Sequence, residues 1–199
     1  MEPRAEDQHW VDYLAGRPGA FDALVARYGP DLFGFLYRYV GDAALAEDLA
    51  QETLLQIHVS AASFDRSRPF KPWMYTIAAN KARDFMRSRG RRREQSLDFG
   101  SEDADAPPAA AIVPSSEPGA VERADEDERR EVVRGLIALM PEHLRLILVL
   151  GYYQQLPYAE ISEILGIPVG TVKSRLHAAV TNFAKLWHAR AETSPSGGG

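Results

Sequence analysis

The chain has 199 residues, enough for one medium domain or for two small ones that each just bury a core. Hydrophobic residues make up 45% and charged residues 26%, ordinary for a globular protein, and no apolar run reaches the roughly eighteen residues that span a bilayer. The absence of cysteine excludes disulfides and thiolate metal sites, and a formal net charge of -5 taken alone disfavours a polyanionic partner.

The N-terminal stretch MEPRAEDQHW lacks the basic-then-apolar order of a secretion signal, so a cytoplasmic protein with no membrane insertion is expected. From about residue 10 to 93, apolar positions recur at helical spacing: Phe21, Leu24, Val25 and Tyr28, then Leu32, Phe33, Leu36 and Tyr39, then Leu45, Leu49, Leu54 and Ile57. Breaks are predicted at Gly29-Pro30, at Gly41-Asp42 and through Phe64–Pro72, which gives a bundle of about four helices over residues 1–95. One of these helices, AEDLAQETLLQIH, collects Glu47, Asp48, Gln51, Glu52 and Gln56 opposite its apolar side, and a solvated acidic face is the ordinary explanation.

The loop FDRSRPFKP interleaves Phe64 and Phe70 with Arg66, Arg68 and Lys71, and the helix WMYTIAANKARDFMRSRGRRR follows it. Trp73, Ile77, Asn80, Asp84 and Arg87 share one stripe of that helix. Between Arg66 and Arg93 ten basic residues, Lys81 and Arg83 among them, face the single acid Asp84. Aromatic faces that stack on unpaired bases, beside cations that follow a backbone, make a surface for single-stranded nucleic acid. Trp73 and Ile77 are equally well explained as core.

Between Ser96 and Glu128 the balance reverses, with ten acids against Arg123. This Pro-, Ala- and Ser-rich stretch has no sustained period and is expected to be a flexible acidic linker over residues 96–127. Helical period resumes over 128–190, broken at Met140-Pro141, Leu156-Pro157 and Gly166-Ile167-Pro168, and the tail 191–199 is expected to be disordered. Within it, LPYAEISEILGIPVGTVKSRLHAAV has the layout of a helix-turn-helix: Ile161, Ile164 and Leu165 inward, Gly166 at the turn, Pro168 opening the second helix, Val172 and Leu176 facing back. That leaves Thr171, Lys173, Ser174, Arg175 and His177 outward on a helix of the kind that enters a major groove. The fold class is therefore all-α, two small helical domains joined by the acidic linker.

No catalytic residue, cofactor or metal is expected. His9, His58, His143, His177 and His188 are scattered without ligand spacing, and no nucleophile–base pair stands out. A small metal-dependent nuclease using Glu47, Asp48 and Glu52 therefore has little support. A free-standing helix-turn-helix regulator remains an alternative, but it leaves the acidic helix and the Phe64–Arg93 surface unexplained.

Three motifs in fixed order resemble the sigma-70 superfamily, specifically its small extracytoplasmic-function (ECF) sigma factors. AEDLAQETLLQ resembles region 2.2, WMYTIAANKARDFMRSRGRRR regions 2.3 and 2.4, and LPYAEISEILGIPVGTVKSRLHAA region 4.2. The resemblance implies a non-enzymatic subunit of RNA polymerase that recognises a two-part promoter and helps melt it, with no small-molecule substrate. It implies that Glu47, Asp48, Gln51, Glu52 and Gln56 bind the clamp helices of the core, and that Leu144, Ile147 and Leu148 grip its flap. It assigns Phe64, Arg66, Arg68, Phe70, Lys71, Trp73, Asn80, Lys81 and Arg87 to the -10 element, and Thr171, Lys173, Ser174, Arg175 and His177 to the -35 element. The acidic linker would lie in the RNA exit path, and an anti-sigma factor is an expected partner. Ala79 departs from the family, which commonly has arginine there, so one basic contact to the -10 strand is expected to be missing.

Overall fold

The computed structural model describes residues 8–98 and 120–193, and these form helices without strands. The N-terminal half comprises α1 (Gln8–Leu14), α2 (Ala20–Val40), α3 (Ala43–Ser60) and α4 (Phe70–Asp98). The C-terminal half comprises α5 (Ala120–Leu139), α6 (Glu142–Leu148), α7 (Tyr158–Leu165) and α8 (Val169–Thr193), with a π-helical turn, Val149–Tyr153, continuing α6. The acidic segment was expected to span 96–127. The structure places helix at both its ends, and residues 99–119 lie outside the described residues. Likewise α8 continues to Thr193, into the stretch expected to be tail, and 194–199 lie outside the described residues.

The break expected at Gly29-Pro30 does not occur, because α2 runs through Pro30. A proline inside a helix costs about 3 kcal/mol in a lost hydrogen bond and a ring clash. Leu24, Tyr28, Leu32, Phe35, Leu36 and Tyr39 straddle it and are almost wholly buried, and each such side chain contributes about 1.5–3 kcal/mol. Burial outweighs the local preference. The next break does occur: Gly41 ends α2 with a φ of 80°, and Asp42 caps α3 by accepting a hydrogen bond from the Leu45 amide at 2.9 Å.

An aromatic group centred on Trp10 fastens α1 and α4 together. Trp10 is 3% exposed and stacks on Phe70 with centroids 4.4 Å apart, with Phe64 edge-on at 5.1 Å and Trp73 at 5.5 Å. The one cost is its buried indole N–H, which has no partner among the described residues. Trp10→Ala is expected to lower stability by about 3–5 kcal/mol, measurable as a drop in denaturant midpoint at unchanged slope.

In the C-terminal half the breaks fall where the sequence predicts. Gly166, with a φ of 64°, makes the turn between α7 and α8, and Ile161, Ile164 and Val172 close the small core beneath it. Gly151 allows close approach there: a Cβ at this position would stand 3.2 Å from Leu176 Cδ1. Leu144, Ile147 and Leu148, expected on a surface that grips the polymerase flap, are buried instead. They belong to one core that both halves share, so in this arrangement they offer nothing to a partner.

The halves are joined at the C-terminal ends of α2 and α5, where unpaired carbonyls collect. The guanidinium of Arg145 sits between them and donates through Nη1 to the Tyr39 carbonyl at 3.0 Å and through Nη2 to the carbonyls of Ala138 and Met140. A cation suits both helix ends. Beside it the Tyr39 hydroxyl donates to Glu142 Oε1 at 2.9 Å, and the Tyr75 hydroxyl donates to Gln154 Oε1. Arg38 lies over the Tyr153 ring at 4.5 Å and Arg134 over Tyr37 at 4.6 Å. Burial pushes the Tyr39 and Tyr75 phenols well above their usual range, with nearby carboxylates adding to it. A raised folded-state value gives stability that is present below the unfolded value, about 10, and lost as pH rises above it. Alkaline titration followed at the tyrosinate absorbance band should therefore show these two rings ionising only as the structure opens.

Candidate nucleic-acid and polymerase interfaces

Helix α3 turns Ala46, Leu49, Ala50, Thr53 and Ile57 into the core and leaves Glu47, Asp48, Gln51, Glu52 and Gln56 exposed. The same outer face carries Leu55 at 65% and Val59 at 71% exposure. Neither was singled out in the sequence, although their spacing of four on the polar side was a visible signal. Acids and bare aliphatics together form a surface suited to a protein partner with a basic rim and an apolar centre. Glu52 is also ion-paired with Lys81 at 3.2 Å, which ties this face to α4. Lying at the surface, that pair contributes less than about 1 kcal/mol.

The basic region is more divided than its sequence suggests. Arg66 and Arg68 are exposed on a short loop, and Lys71 is half-buried at the start of α4. Asp65 shapes the loop by accepting hydrogen bonds from the Ser67 amide and hydroxyl, which hold its carboxyl below the usual carboxylate range. Arg68 reaches Glu163 of α7 at 3.4 Å, an exposed ion pair between the two halves.

Phe70 was expected to stack on bases, but it is 1% exposed beneath Trp10 and Tyr28, because α4 begins there rather than after Pro72. Phe64 and Trp73 are half-buried in the same aromatic group, 4.7 Å apart. Beyond this group, the polar side chains that reach solvent lie on the outer side of α4. There Asn80 is exposed, and its Oδ1 accepts a hydrogen bond from Arg83 at 2.6 Å. Arg87 is exposed one turn further on. Ala79 is wholly buried, so the arginine missing at this position leaves no gap in the exposed surface.

On α8, Lys173, Ser174 and His177 are exposed and Thr171 and Arg175 half-buried, while Val172 points into the core. The Ser174 hydroxyl donates to the Thr171 carbonyl at 3.1 Å. Arg175 does not project freely into solvent. It lines a cleft between the halves together with Arg83 and Arg87 of α4, so arginines of both candidate DNA surfaces border one space.

These arrangements match known proteins over most of the chain. Residues 24–92 match the family described as Sigma-70 region 2, and residues 130–182 match Sigma-70, region 4. The chain is 35% identical over 183 residues to the RNA polymerase sigma-H factor of Pseudomonas aeruginosa, covering 90% of this chain and 92% of the relative. It is 34% identical over 167 residues to the ECF RNA polymerase sigma factor SigW of Bacillus subtilis, covering 81% and 86%. The solved structure of CnrH in complex with the cytosolic domain of CnrY has a TM-score of 0.68 at 21% identity, covering 94% of this chain and 99% of that one. The sigma factor RpoE bound to the anti-sigma factor NepR from Bartonella quintana has a TM-score of 0.67 at 24% identity, covering 85% and 98%. The two structures share the fold. The chain belongs to the sigma-70 family of RNA polymerase sigma factors, in its ECF group.

Proposed function

We propose that this sigma factor docks on core RNA polymerase through the exposed face of α3, from Glu47 to Val59, and delivers it to promoters read at two places. The -35 element is read by Thr171, Lys173, Ser174, Arg175 and His177 at the start of α8. The -10 strand is held by Arg66, Arg68, Lys71, Asn80, Lys81 and Arg87. The observation that carries this is the pairing of an acidic and aliphatic helix with a basic one in the first half, and a helix-turn-helix with a polar, basic outer face in the second. A helix enters a major groove only with its face clear of other protein. Promoter binding therefore requires the cleft beside Arg175 to open. The protein acts by binding rather than catalysis, works in the cytoplasm where its polymerase is, and is held closed by an anti-sigma partner. The two solved relatives described above, one in complex with an anti-sigma factor and one with the cytosolic domain of CnrY, support a partner of that kind.

Selecting promoters from a randomised -35 library with reconstituted holoenzyme tests the assignment. Arg175→Ala should relax choice at one position at a cost of about 1–3 kcal/mol. An equal loss on every sequence would show a phosphate contact only.

A further inference from the structure

The cleft between the halves has a volume of about 300 Å³ and draws its wall from four helices. Arg83 and Arg87 come from α4, Arg175 from α8, and Glu142 and His143 from the first turn of α6. Leu146 and Leu165 form its apolar side. Three arginines and one carboxylate line it, and one oxygen of that carboxylate accepts a hydrogen bond from the Tyr39 hydroxyl. Arg83 spends two of its groups on Asn80 and the Ala79 carbonyl. Arg87 has no ion-pair partner among the described residues, nor has Arg175, although Arg175 is half-buried. Like charges from separate helices are gathered in a concave site, where field lines concentrate and an anion is favoured. Guanidinium groups bind phosphate in two-pronged fashion, and the volume is at the small end for ligand sites.

We infer that this cleft is a binding site for a compact anion carrying two or more phosphate groups, of the size of pyrophosphate or the phosphate end of a nucleotide. The site exists only while the halves are closed, because Arg175 and the α4 arginines come from different halves. A ligand that binds one of two states shifts the population toward it by its differential affinity. The anion would thus hold the closed form and keep the same arginines from DNA. The inference stands on the geometry of the closed form, so a failure of the promoter assignment would not by itself remove it.

The test uses the full chain, whose lack of cysteine allows fluorophores at Ser63→Cys and Lys185→Cys, one exposed site on each half. Pyrophosphate is titrated against sulfate at matched ionic strength, following energy transfer between the labels and binding heat on the unlabelled chain. Saturable pyrophosphate binding that raises energy transfer, and that weakens at least tenfold in both Arg87→Gln and Arg175→Gln, is the expected result. Arg87 is exposed and Arg175 half-buried, and circular dichroism confirms that the variants are folded. Three outcomes would overturn the inference: responses to pyrophosphate and sulfate that coincide, binding that survives both substitutions, or binding that leaves energy transfer unchanged.

Discussion

Arg145→Met is expected to destabilise the protein by about 3 kcal/mol and to loosen the contact between its halves. The side chain is 8% exposed, and its guanidinium satisfies carbonyls at the ends of two helices, Tyr39 on α2 and Ala138 and Met140 at the end of α5. A buried acceptor left without a donor costs about 1–3 kcal/mol, and bonds from a charged donor are at the upper end of that scale. Methionine fills much of the volume but donates nothing. Arg145→Lys keeps the charge with a single donor head and should recover part of the loss. Thermal denaturation of the three proteins gives the order Arg, then Lys, then Met. Equal stabilities would show that water already satisfies these carbonyls.

The double substitution Glu47→Lys and Asp48→Lys is expected to act in the opposite manner, on partnership rather than on folding. Both side chains are exposed on α3, and neither has an ion-pair partner among the described residues, so stability should change by no more than about 0.5 kcal/mol. Affinity for core polymerase should fall by about tenfold or more, since like charges brought together across an interface cost several kcal/mol. Surface-immobilised core titrated with each protein measures it. A core affinity that does not move would place the polymerase interface elsewhere. Leu55→Asp, at 65% exposure, separates the apolar centre of this surface from its charged rim.

The fold class and the helix-turn-helix were legible because their signals are local. Gly41 with Asp42, and Gly166 between two apolar helices, are punctuation that nearby residues alone determine, and the structure has φ values of 80° and 64° at those glycines. What escaped depends on distant contacts. Pro30 marks a break by its own chemistry, yet the six buried side chains around it prevail. Phe70 looks like a base-stacking aromatic until Trp10, sixty residues earlier in the chain, is laid against it. Leu144, Ile147 and Leu148 have the pattern of an exposed apolar stripe, and the packing of α6 against α8 and the π-helical turn buries them. Arg145 was passed over, though a lone charge among Leu144, Leu146, Ile147 and Leu148 is itself a sign of a buried, partnered cation. The orientation of Arg175 toward α4 depends on the closed packing of the two halves, which no local period encodes.

The most direct measurement is run-off transcription with purified core polymerase on a genomic fragment library, with and without the chain. A small set of promoter-specific transcripts should appear only when the protein is present. These transcripts should fall together with core binding in the Glu47→Lys and Asp48→Lys variant. DNA binding by the chain alone, with no transcript that depends on it, would point instead to a regulator that never joins polymerase.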